Sequence, residues 1–170
     1  MEGNKRRELL LKLLKEQVEP ISGGELSRLL SVSRQVIVQD IALLRASDIN
    51  IIATTKGYLI YQSDTRQLKR IFKVKHSTDQ IEDELCTIVD NGGKILDVLV
   101  THEIYGEITT ALIIRNRQDV YDFVKKVKEK KIVPLKELTD GIHQHTVEGD
   151  SEATFDRIEK ALRDKGYLYL

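Results

Sequence analysis

Two histidines, His143 and His145, stand one residue apart in the run Gly141-Ile142-His143-Gln144-His145-Thr146-Val147, whose texture is that of a strand. Side chains alternate faces along a strand, so both imidazoles point the same way and can reach one ion together. The plainer alternative is a pair of half-exposed strand histidines titrating near neutral pH. Which reading holds depends on what else converges there. In Ile71-Phe72-Lys73-Val74-Lys75-His76 the face that carries Phe72 and Val74 also carries His76. In the helical pattern that follows, Ile81, Leu85 and Ile88 form the apolar stripe. At about 100° per residue Glu84 falls about 60° from Ile81, whereas Asp83 points away. One sheet layer and one helix would then bring His76, Glu84, His143 and His145 around a single ion. Three imidazoles and a carboxylate suit a divalent transition metal such as nickel, zinc, iron or manganese, and ligand type alone does not choose among them. The fourth histidine, His102, ends the strand holding Leu96, Val98 and Val100. It completes the site, lines a pocket beside it, or hydrogen-bonds to backbone at a strand end.

The elements that position these residues follow from periodicity. From residue 70 the pattern reads as a strand over 70–76, a helix over 79–90, strands over 95–102 and 107–114, a helix over 117–130, a strand over 142–148 and a helix over 151–165. The alternation of Ile108, Thr110, Leu112 and Ile114 and the stop at Asn91-Gly92-Gly93 are the clearest signals. This order, βαββαβ with a trailing helix, is the split βαβ sandwich of the α+β class, with helices on one sheet face.

The first third has a different texture, and a boundary is expected near Ser63-Asp64-Thr65, giving domains 1–63 and 64–170. Leu9, Leu10, Leu13 and Leu14 repeat at helical spacing and Pro20 ends that helix. Ser22 is an N-cap, with Glu25 three residues on as in a capping box, and Leu26, Leu29 and Leu30 supply an apolar face. Ser33 caps a third helix whose buried face is Ile37, Ile41 and Leu44. Two short strands, 49–53 and 58–61, flank the turn Thr54-Thr55-Lys56-Gly57. Helix, helix, short turn, helix, hairpin is a winged helix-turn-helix layout. The third helix would enter the major groove presenting Arg34, Gln35, Val36, Val38 and Gln39. Arg34 can fork onto guanine or phosphate, a glutamine can pair with adenine, and valines can meet thymine methyls. Ser33 and Lys56 are placed for phosphates. Net charge is zero, with only a slight excess of Lys and Arg before residue 63, so nucleic-acid binding must rest on local placement.

Composition sets the remaining bounds. At 41% hydrophobic and 32% charged residues the chain is globular, with no apolar run near the ~20 residues that span a bilayer. No apolar signal core follows Met1, so a cytoplasmic location is expected. The lone Cys86 excludes an intrachain disulfide framework.

The pieces Lys75-His76-Ser77, Val100-Thr101-His102-Glu103-Ile104-Tyr105-Gly106-Glu107-Ile108 and Gly141-Ile142-His143-Gln144-His145-Thr146 resemble the motifs of the three-histidine domain. That domain follows a winged helix in bacterial niacin-responsive repressors of NAD biosynthesis, and the resemblance spans about residues 5–168. It implies a metal on His76, Glu84, His143 and His145, with His102 as a family histidine and Tyr105 beside it as an effector contact. It also implies nicotinic acid as co-repressor and double-stranded operator DNA as partner; a homodimer is expected because one small winged helix buries little surface on DNA. Glu103 stands where proline is expected before the Tyr-Gly pair. The competing class is a metal-dependent enzyme carrying a DNA-binding head, which would need an open coordination position and a general base or phosphate cradle. The chain contains no Walker loop, Gly-x-Ser-x-Gly elbow or His-Glu-x-x-His motif, and the expectation is a switch without catalysis.

Overall fold

The computed structural model describes residues 2–60, 67–129 and 133–170. The chain divides into two compact units, Met1–Ser63 and Asp64–Leu170. The boundary expected at Ser63-Asp64-Thr65, and the expected strand end at Tyr61, lie outside the described residues.

In the first unit, α1 (Gly3–Glu16), α2 (Gly23–Leu29) and α3 (Arg34–Ala46) precede a hairpin of β1 (Ile51–Ala53) and β2 (Tyr58–Ile60). Ser22 Oγ accepts the Glu25 N–H at 3.1 Å and Ser33 Oγ the Val36 N–H at 3.3 Å, so both expected caps form. Between α2 and α3 the chain turns through Ser31 in the left-handed region, and the Val32 N–H returns to Ser27 O. The core is one cluster built on Leu10, Leu14, Leu26, Leu30, Ile37, Ile41, Leu44 and Ile51. Leu9 and Leu29 do not join it; both are exposed, because short helices touch their neighbours along one row of side chains. The hairpin is tied back to the helices by the exchange of main-chain hydrogen bonds between Ile21 and Tyr58, both 2.9 Å. At Gly57 (φ +146°) a Cβ would lie 2.3 Å from Ile21 O, so only glycine fits there.

The second unit runs β3 (Leu68–Lys75), α4 (Ile81–Asp90), β4 (Lys94–His102), β5 (Gly106–Ile114), α5 (Arg117–Glu129), β6 (Ile142–Gly149) and α6 (Glu152–Asp164), with 3₁₀ turns at Thr78–Gln80 and Leu135–Thr139. The sheet order is β3-β6-β4-β5, antiparallel at every neighbour pair. Each βαβ unit is therefore split: β6 lies between β3 and β4, and β4 lies between β5 and β6. Phe72, Val74, Ile95 and Val147 of the sheet pack against Ile81, Leu85 and Ile88 of α4, Val120 of α5, and Phe155, Ile158 and Leu162 of α6. This is the expected α+β sandwich.

Two features depart from the sequence reading. The alternation assigned to β5 is interrupted by a bulge, where Ile113 takes φ +52° and Leu112, Ile113 and Ile114 are all buried. The last residues are also structured. Lys75 N–H donates to Tyr167 O and Tyr169 N–H to Lys73 O, both 2.8 Å, so the tail runs antiparallel along the free edge of β3. Among the described residues no helix is long and apolar enough to cross a membrane.

Candidate metal centre and nucleic-acid face

Cross-strand register places the histidines. His143 pairs with Val74 and His145 with Phe72, so both side chains fall on the helix-covered face. His76 follows β3 directly, and Glu84 projects from the buried stripe of α4. The rings of His76 and His143 lie 4.9 Å apart, as do those of His143 and His145. Glu84 sits among them 1% exposed, with Oε2 3.6 Å from His76 Nε2 and Oε1 3.5 Å from His145 Nε2. His76, Glu84 and His143 each offer a ligand atom within 4.8 Å of the others, a group that could hold a metal ion.

Protonation is set from behind. His76 Nδ1 donates to Ser77 O (2.7 Å), His143 Nδ1 to Gly141 O (3.0 Å) and His145 Nδ1 to Asp97 O (2.6 Å). A carbonyl only accepts, so each neutral ring keeps its proton on Nδ1 and presents a lone pair at Nε2. Backbone acceptors of this kind orient metal-ligating imidazoles. The Nε2–O distances are long for hydrogen bonds, and His76 Nε2 and Glu84 Oε1 are buried without a hydrogen-bond partner. Two ligand atoms bound at about 2.1 Å and a tetrahedral angle lie about 3.4 Å apart, so the spacing matches a small divalent cation between them.

The cluster is electrostatically tense. Burial pushes the Glu84 carboxyl up, but the imidazoles of His145 and His76 that face it outweigh burial and hold the group well below the usual carboxylate range. Burial and the neighbouring His145 push His143 down to about 3. For His145 burial acts downward, yet Glu84 prevails and raises it. A carboxylate, one imidazole pushed toward its charged form and one pushed toward its neutral form thus share a dry site.

Several supporting residues had no sequence signal. Lys136 is buried and its Nζ donates to His76 O (3.2 Å), Thr78 Oγ1 (3.1 Å) and Glu137 Oε1 (2.7 Å), pinning the turn that carries His76. Gly141 (φ +83°) allows close approach, since a Cβ there would lie 2.8 Å from His76 O. Tyr167 packs edge-on to His76 and donates to Asp83, and burial with that acid raises its hydroxyl to about 12. Asp83 is occupied by Lys165 and Tyr167, in keeping with its outward assignment. The pattern Ser77-x-x-Gln80 was legible as a capping box, and both of its hydrogen bonds form.

His102 behaves differently from the other three. Its Nδ1 accepts the Ile104 and Tyr105 N–H groups at 3.2 and 3.3 Å, capping the β4–β5 turn, and its ring stacks on exposed Tyr105. It is thus a strand-end histidine bonded to backbone, and it also lines a groove of about 590 Å³ with Lys73, Leu99, Gln144, His143 and Tyr169. Tyr105 is not among the residues lining that groove.

On α3, Arg34, Gln35, Val38 and Gln39 are exposed on one side of the helix, and capping Ser33 is exposed at its start. Val36 is half-buried, as is Lys56 in the hairpin turn. Leu43, not expected on the outer face, is 53% exposed.

Comparison with known proteins fits both units. An HTH domain family matches residues 6–59 and a 3H domain family matches residues 69–170. The chain is 42% identical over 163 residues to a probable transcription repressor, NiaR, of Thermotoga maritima, covering 96% of this chain and 93% of that one. It is 41% identical over 169 residues to the transcription repressor NadR of Bacillus subtilis, covering 98% and 94%. This chain belongs to the NiaR/NadR family of 3H-domain repressors. Family membership at this coverage carries both halves together, the helix-turn-helix and the domain that holds the histidine cluster.

Proposed function

We propose that this chain is a DNA-binding repressor of genes for NAD biosynthesis or niacin uptake, with nicotinic acid as co-repressor and one divalent transition metal ion held by His76, Glu84, His143 and His145. The observation that carries the reading is a buried carboxylate whose Oε1 has no hydrogen-bond partner among the described residues, faced by imidazoles whose Nδ1 atoms are held by backbone carbonyls. Nickel, zinc, iron and manganese all fit this donor set. When bound, the ion supplies a fixed positive charge and a Lewis-acid position. Glu84 supplies the countercharge, and the three backbone carbonyls hold the rings in register.

The groove beside this site has the size and lining of a small-molecule pocket, with Leu99 and Ile142 as apolar walls and Lys73 as a cation for a carboxylate. The His143 side chain lies with the cluster on the helix-covered face, while Lys73, Leu99 and Gln144 put the groove on the other face of the same strands, so what the two share is the β6 backbone at His143. Nicotinic acid in this groove, near His102, accounts for a sensor without turnover. A homodimer would present two α3 helices to successive major grooves, and the effector would favour the spacing that fits the operator. Arg34, Gln35, Val38 and Gln39 would read bases, with Val36 at the edge of that face and Ser33 and Lys56 on phosphates.

The test is a titration of labelled promoter DNA with the full chain, with and without nicotinic acid and a chelator. Operator affinity should rise at least tenfold with nicotinic acid and lose that rise in chelator. An affinity indifferent to nicotinic acid would overturn the co-repressor role, and conversion of nicotinic acid to product in the same tube would favour an enzyme.

A further inference from the structure

The strand that backs the histidine cluster is irregular on both sides of one residue. Between the pairs Ile95↔Val147 and Leu99↔Gln144, β4 holds one residue more than β6. Between Ile95↔Ile114 and Asp97↔Ala111, β5 holds one residue more than β4, and there Ile113 takes its left-handed conformation. A β-branched residue at positive φ is strained and persists only where its surroundings over-determine it. Both irregularities meet at Asp97.

In a regular antiparallel ladder a central-strand carbonyl lies in the sheet plane and accepts a neighbour's N–H. Asp97 has exchanged these roles. Its side-chain Oδ1 accepts the Thr146 main-chain N–H at 2.9 Å, while its main-chain oxygen accepts the His145 Nδ1–H at 2.6 Å. The carboxylate substitutes in the ladder for the carbonyl, and the bulge turns the carbonyl toward the imidazole. The two bonds fall on consecutive residues of β6, so ring and backbone are fixed by the same residue.

We infer that Asp97 is the positioning residue of His145: its side chain satisfies the β6 ladder so that its carbonyl is free to hold the His145 ring with Nε2 facing Glu84. The inference rests on the reading of the cluster as a metal site for its purpose, though its geometry does not. An acceptor at Oδ1 is what the arrangement requires. Asp97→Asn keeps one and Asp97→Ala removes it, leaving the Thr146 N–H to reclaim the carbonyl. A shape-matched pair of variants therefore separates positioning from mere presence of a charge.

The experiment uses the full chain in two arms. In the first, the metal-free protein is ¹⁵N-labelled and the ring nitrogens of His145 are assigned by long-range nitrogen–proton correlation. In the second, Ni²⁺ alone is titrated and its dissociation constant measured. At a pH high enough for His145 to be neutral, wild type and Asp97→Asn should show a single Nδ1–H tautomer at His145 and Ni²⁺ affinities within about threefold of each other. Asp97→Ala should show mixed tautomers and a 10–100-fold weaker Ni²⁺ affinity. Should Asp97→Ala fail to fold, Asp97→Val, better suited to a strand, takes its place. An acceptor-free variant that keeps the wild-type tautomer overturns the inference, as does Asp97→Asn losing it equally. Failure of wild type to bind Ni²⁺ would remove the metal reading, and the tautomer arm would still decide the role of Asp97.

Discussion

Each unit buries a helix carboxylate to 1% exposure, Asp40 in the first and Glu84 in the second, and the two are treated in opposite ways. Asp40 of α3 is 1% exposed and saturated: Arg6 reaches it through Nε at 2.5 Å and a second nitrogen at 3.1 Å, and Arg7 adds a contact at 3.4 Å. Those bonds fasten α1 to α3. Glu84 of α4 is also 1% exposed, but among the described residues no arginine or lysine salt bridge reaches it, its imidazole neighbours His76 and His145 stand 3.6 and 3.5 Å away, and Oε1 has no hydrogen-bond partner. Burial of a charge is common to both; satisfaction separates them. A saturated buried acid is a structural clasp, whereas an under-satisfied one faced by imidazoles is a group that could hold a metal ion.

The contrast breaks most sharply by substitution of the two acids. Asp40→Ala removes the buried acid that Arg6 and Arg7 share and should lower the unfolding midpoint of the first unit by roughly 10 °C, with metal content unchanged. Glu84→Gln should do the reverse. With its countercharge gone the upward push on His145 is lost, the midpoint shifts by a few degrees at most, and divalent-metal affinity falls at least a hundredfold, on the order of what loss of a direct ligand removes beyond outer-shell effects. Calorimetry of the full chain alongside metal analysis reads both. Equal stability losses from the two substitutions would erase the distinction.

Arg34→Ala comes next in size. It should weaken operator binding by about 10–100-fold, as expected for a bidentate base contact, and leave metal content alone. Unchanged affinity in a band-shift titration would displace the recognition face from this side of α3. Acidification should act only on the second unit. His145 is raised above its ordinary value of 6.5 by Glu84, so below that raised value the metal-free ring carries a proton that an incoming ion must displace. Metal affinity should then fall about tenfold for each further pH unit, read by calorimetric titration with proton release. The smallest effect is expected at Lys56, where replacement by alanine should weaken DNA binding a few-fold regardless of sequence and reduce the salt slope by about one.

Local pattern carried much of this fold. Caps at Ser22 and Ser33, the stripe Ile37-Ile41-Leu44 and the two-residue repeat around His143 were legible because each depends on neighbours in sequence. The inward aim of Glu84 followed from helix geometry alone. The supports were not legible, since they are long-range. Lys136 reaches His76, Asp97 reaches β6 across 49 positions, and Tyr167 returns along β3, and no periodicity encodes such meetings. The bulge at Ile113 lies hidden for the same reason: an apolar run of Leu112, Ile113 and Ile114 reads as simple strand, and only its partners show that one residue is extra. His102 illustrates the converse. Its residue type suggested a ligand, but its Nδ1 accepts where the others donate, a difference set by the turn that follows it.

The most direct test of the distinction is X-ray absorption spectroscopy on the full chain loaded with one equivalent of nickel or zinc. The account predicts about one tightly held ion per chain with three imidazoles and a carboxylate in its first shell, and loss of that signature when His143 and His145 are both replaced by alanine. An ion bound equally well by the double variant, or a shell with no imidazole scattering, would contradict it.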